Sequence, residues 1–113
     1  MLTSNQPLEA ASQVLEINAL KAIVKCSEIQ RQGFRIIDRW AMDNPEWLKK
    51  LARHTTGFLI IIMTQQATEY RVLWSERGEE LLHNGLTRHE VLSMYGVDMG
   101  IDPMGNLTRM NNA

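Results

Sequence analysis

Apolar residues recur every three or four positions from Leu8 to Gln32. Val14, Ile17 and Val24 mark one stripe; Leu15, Ala19, Ala22, Ile23, Cys26 and Ile29 mark a second beside it. Together they make the wide apolar face of an amphipathic helix, and Pro7 suits its first turn. Beyond Gly33 the pattern resumes with Phe34, Ile36, Ile37, Trp40 and Ala41. The helix is therefore expected to continue to Met42, with Gly33, a residue that costs about 1 kcal/mol inside a helix, as the place for a break. Asp43-Asn44-Pro45-Glu46 is the strongest local signal: an Asn cap, Pro at the first helical position and an acid in the first turn. It predicts a helix with Trp47, Leu48, Leu51 and Ala52 on its buried side.

The two most apolar stretches, Phe58 to Met63 and Tyr70 to Trp74, are joined by Thr64-Gln65-Gln66-Ala67-Thr68-Glu69. That connection holds no Gly, Pro, Asn or Asp, the residues a tight hairpin turn requires. Ile60, Ile61 and Ile62 favour a strand, whereas the helix-forming composition of Gln65 to Leu82 favours a helix. Helix is the expectation, with a break at Gly57 or Gly78, and an α+β fold with a 58–74 β-hairpin is the alternative. Asn84-Gly85 should stop the following turn. Thr87 and Glu90 form a capping box for a short helix ending at Gly96. The fold class is thus mainly α, a single domain over 1–113 of two long amphipathic segments plus a short C-terminal helix. Residues 1–6 and 98–113 are expected as flexible tails, the latter rich in Gly, Pro and Asn.

Two wide apolar faces exceed what a helical hairpin covers, and a second copy of the chain is the simplest cover. A homodimer is therefore expected. The candidate interface comprises Ile17, Val24, Trp40, Trp47, Ile62, Leu73, Trp74, Met94 and Met99. Met94, Met99, Met104 and Met110 crowd the last twenty residues, and methionine suits surfaces that mould to a partner.

The chain has 113 residues, 44% of them hydrophobic and 22% charged, which supports a packed core without metal or disulfide. The longest apolar run is six residues, far below the ~20 of a membrane helix. The N-terminus lacks the basic patch and apolar stretch of a signal peptide, and Cys26 is alone. A cytoplasmic location is expected. Net charge is −1, with 12 basic and 13 acidic residues, so bulk electrostatics offers no attraction to nucleic acid or to a membrane.

Leu86 to Val97 resembles the first helix and turn of a helix-turn-helix DNA reader. The resemblance implies a recognition helix next, but Gly100, Pro103 and Gly105 fall there and only Arg109 is basic. Specific binding to duplex DNA is not expected. His54, His83, His89 and Cys26 lack the spacing that converges metal ligands, and Asp98 with Asp102 lacks the order of a calcium loop. No nucleophile elbow or phosphate loop is present. No enzyme activity and no cofactor are expected. The expected function is protein–protein binding by a self-associating helical protein, as adaptor, inhibitor or regulatory subunit, with the partner's identity open. The alternatives are a DNA-binding transcriptional regulator using 86–97 and a small α+β enzyme or ligand-binding domain.

Overall fold

The structure is a computed structural model that describes residues 6–100. Within them the chain is all α, with seven helices and no strand: α1 (Glu9–Ser12), α2 (Ile17–Lys25), α3 (Arg31–Asp43), α4 (Pro45–Ala52), α5 (Thr55–Leu73), α6 (Glu76–His83) and α7 (Arg88–Met94). None is long and apolar enough to cross a membrane.

The stretch that decided the fold class is helix α5, not a hairpin. Its β-branched residues cost only a few tenths of a kcal/mol each in a helix, and Ile62 recovers more by being fully buried. Thr64 and Thr68 turn their hydroxyls back to Ile60 O and Thr64 O, at 2.8 and 3.0 Å, the usual i−4 bond of a helical Thr. The expected break does not fall on a glycine. α5 runs through Gly57, and Gly78 lies inside α6. The helices part instead at Arg53 and His54, between α4 and α5, and at Trp74 and Ser75, where the Ser75 hydroxyl caps α6 by accepting from Gly78 N at 3.0 Å.

The Asn44 cap is present, with Trp47 N donating to its side chain at 3.3 Å, and so is the Thr87–Glu90 capping box. Gly85 and Gly96 both adopt positive φ.

The first long segment departs from expectation, since three helices replace one. α1 is tied to α3 by the Asp38 carboxylate, which accepts from Leu8 N at 2.8 Å and Ala11 N at 2.9 Å. Burial pushes the Asp38 carboxyl above its usual value, against the pull of these amides. The second break, at residues 26–30, is made by Gln66 of α5. Its side-chain oxygen accepts from Gln30 N and Gly33 N, both at 2.8 Å, and its amide donates to Glu28 O at 2.8 Å. One side chain thus satisfies three backbone groups that an unbroken helix would pair internally, and Ile29 enters the core from the loop.

Gly33 is therefore not a breaker. It sits within α3 because a Cβ there would lie 2.6 Å from Ile29 Cγ2 and 2.7 Å from the Gln66 oxygen. Gly33→Ala is expected to cost about 1–3 kcal/mol by overpacking, read as a lower denaturation midpoint. An unchanged or higher midpoint would show that the contact yields freely.

α5 is the central element and contributes to two apolar clusters. Phe58 and Ile62 join Ile23, Ile36, Ile37, Trp40 and Leu48 in the larger one. Leu73 joins Leu81, Val91 and Leu92 in the smaller. Between them lies a polar layer in which Glu69, fully buried, accepts from Gln32 and Gln65, both at 2.8 Å, and pairs with Arg39 at 2.6 Å. Among the described residues no buried side-chain polar atom lacks a hydrogen-bond partner.

Part of the expected C-terminal tail is held in place. Met99 O accepts from Arg39 Nε at 2.9 Å and Trp40 Nε1 at 3.2 Å, and Asp98 O accepts from Gln65 at 2.8 Å. Residues 101–113 and 1–5, which include Met104 and Met110, lie outside the described residues.

Candidate binding site at an arginine and aromatic cleft

Arg31 and Arg35 stand one turn apart at the start of α3, and both are exposed. Arg88, the first residue of α7, comes to the same place because Val91 and Leu92 bury that helix against Leu73 and Leu81. The three guanidiniums line a cleft of about 220 Å³ with Gln32, Tyr70 and Trp74. Leu73 and Leu82 complete its walls. Arg35, Leu82 and Arg88 are shared with an open trough of about 600 Å³ that extends past Leu86 and Thr87 to His89.

Like charges at i, i+4 on a helix repel, and this cleft adds a third. Among the described residues none of the three arginines is ion-paired to a carboxylate; the pairs that exist are Arg39–Glu69, Lys49–Glu46 and Arg77–Glu80. Arg35 reaches only the neutral Gln32 amide oxygen, at 3.5 Å. Burial first, then the charges of Arg88 and Arg31, lower the pKa of its guanidinium from the usual value. Arginine stays protonated regardless. Among the described residues, the cleft is a positive site with no paired carboxylate.

Tyr70 and Trp74, at i and i+4 near the end of α5, stack with ring centroids 3.9 Å apart and planes inclined by 16°. The Tyr70 hydroxyl donates to the Gln30 side chain at 3.2 Å, which holds the pair against the α2–α3 loop. Trp74 nevertheless remains 63% exposed. One face of its indole is covered by Tyr70.

Of the residues expected at an interface, Trp40, Ile62 and Leu73 are buried by their own chain and offer no surface to a partner. Additional helices cover the stripe that a hairpin would have left bare. Trp47 is half-buried with the Lys50 ammonium 4.9 Å from its ring centre. Met99 is half-buried against the smaller cluster. Ile17 and Val24 lie exposed on α2, whereas Trp74 and Met94 are exposed on α5's end and on α7. Of the set, Leu73 and Trp74 line the cleft, and of these two only Trp74 is exposed.

The helix-turn-helix reading places its recognition helix in a segment that, from residue 101 on, lies outside the described residues, as does Asp102. Among the described residues no three His, Cys, Asp or Glu side chains gather where a metal could bind. Cys26 is half-buried, its thiol 3.4 Å from the Glu28 carboxylate. A second hollow, about 340 Å³, lies between Val14, Leu15 and Ala19 on one side and Ala52 on the other. Its charged groups, Glu16, Lys49 and Arg53, are of both signs.

No family model matches the chain, and neither a curated protein nor a solved structure matches it.

Sequence reasoning missed the cleft. Two signals were available: Arg31, Arg35 and Arg39 recur every fourth residue, and Tyr70 and Trp74 share that spacing.

Proposed function

We propose that the protein is a binding module that engages a partner protein through the arginine and aromatic cleft, and that it is not an enzyme. The observation that carries this is one cleft lined by an exposed tryptophan and by three arginines that, among the described residues, are ion-paired to no carboxylate. An exposed Trp beside Arg side chains has the composition of an interface hot spot. The groups lining the cleft are guanidinium, amide, phenol, indole and alkyl, a set suited to binding and orienting a partner.

Support for self-association has narrowed. Once Trp40, Ile62 and Leu73 are covered internally, the α2 face retains Ile17 and Val24, too little by themselves for the ~1,200 Å² of a stable interface. A distinct partner at the cleft is the better reading.

A photoreactive amino acid placed at position 74, and in a second variant at position 24, distinguishes the two in the source cell. Cross-linking to a discrete foreign protein from position 74 and not from 24 is expected. An adduct with a second copy of the chain, or one formed from position 24 alone, would overturn the reading in favour of self-association.

A further inference from the structure

We infer that the cleft receives an acidic, partly apolar segment of the partner, with side-chain carboxylates held by Arg31, Arg35 and Arg88 and an apolar side chain laid on Trp74. This rests on the binding-module reading and adds the chemistry of the occupant.

Three guanidiniums, none ion-paired to a carboxylate among the described residues, present fork-shaped donors matched to planar oxyanions. The 220 Å³ cleft shares Arg35, Leu82 and Arg88 with the neighbouring 600 Å³ trough, so the two lie side by side on these residues and together offer room for a run of residues rather than one small ion. Its apolar walls, Leu82 and Leu86, together with the free face of Trp74, suit alkyl or aromatic groups beside the negative charges.

The same features argue against a single-stranded nucleic acid. Such sites supply several successive aromatic platforms and a basic groove that tracks the backbone. Here one indole face is open, because Tyr70 and Trp74 stack on each other. Glu76, Glu79 and Glu80 of α6 are exposed just beyond Trp74 in sequence, and the chain's net charge is −1. A polyanion leaving the cleft over α6 would be repelled, whereas a short acidic segment bounded by apolar residues would not.

The test is binding of a fluorescein-labelled random copolymer of glutamate and tyrosine, fractionated to short chains no longer than the site, followed by anisotropy at low salt. A lysine–tyrosine copolymer, oligo-dT, free phosphotyrosine and free glutamate serve as comparators. The expected result is saturable binding of the glutamate–tyrosine copolymer that weakens as salt is added, with no binding of the lysine copolymer. Arg35→Gln and Arg88→Gln should each weaken it about tenfold or more, the loss of one charge-assisted contact. Trp74→Ala should weaken it as well. All three side chains are exposed, so far-UV circular dichroism and the thermal midpoint should stay near wild type.

Absence of binding, or equal binding by an Arg35→Gln/Arg88→Gln double variant of unchanged fold, would overturn the inference. So would tighter binding of oligo-dT, which would assign the cleft to nucleic acid, or displacement of the copolymer by phosphotyrosine far below the concentration at which glutamate displaces it, which would assign it to a phosphopeptide. If the copolymer fails while the cross-link from position 74 persists, the occupant's chemistry is wrong and the site stands. Failure of both removes the site.

Discussion

Glu69→Ala is expected to be among the most damaging substitutions in the chain, costing about 3–5 kcal/mol, the range for removing one partner of a buried ion pair. The carboxylate is 0% exposed and accepts from Gln32, Gln65 and Arg39. Its removal leaves the Arg39 guanidinium, whose side chain is only 18% exposed, without its counter-charge. Against a total stability of roughly 5–15 kcal/mol for a domain of this size, such a loss would show as a large fall in the urea midpoint. A double variant, Arg39→Met with Glu69→Leu, should recover most of it, because replacing a whole buried pair by apolar groups is often close to neutral. If Glu69→Ala shifts the midpoint by less than the equivalent of about 1 kcal/mol, the polar layer is not a structural keystone.

Trp40→Ala should cost about as much, roughly 3–5 kcal/mol, for a different reason. The indole is fully buried in the larger cluster, and truncation leaves a cavity that close-packed neighbours only partly fill. It also removes the Nε1–H donor to Met99 O, one of the contacts that hold residues 98 and 99 against α3 and α5. Trp40→Phe separates the two effects. It keeps most of the apolar volume and loses the donor, and about 1–2 kcal/mol is expected. Amide hydrogen exchange at Asp98 to Gly100 should accelerate in both variants. Slow exchange there in Trp40→Ala would mean that Arg39 and Gln65 suffice to hold the segment.

The parts of the fold legible in the sequence are those decided within one helical turn. Asn44-Pro45 and Thr87 to Glu90 specify caps through bonds spanning three residues, and both are formed. The helical state of 58–73 was legible because the intervening residues lack the Gly, Pro, Asn or Asp that a tight hairpin turn favours. The break at 26–30 was not, because Gln66, thirty-six residues beyond Gln30, creates it. Gly33 illustrates the same point, since its role depends on how closely Gln66 and Ile29 approach. The candidate site was the least legible part. Arg31 and Arg35 meet Arg88 only after α7 docks on Leu73 and Leu81, and a tally of net charge averages over such a meeting. Trp74 was singled out as an apolar residue; its position among arginines required the fold.

The claim that the partner binds in the cleft is tested most directly by amide and side-chain chemical-shift mapping of the labelled protein titrated with the glutamate–tyrosine copolymer. The expected outcome is perturbation of the Arg31, Arg35 and Arg88 Nε–H signals and of the Trp74 indole N–H, while the indole signals of Trp40 and Trp47 and the amides around Ile17 and Val24 stay in place. Perturbation concentrated on α2, with the three arginine signals and Trp74 unmoved, would contradict the account.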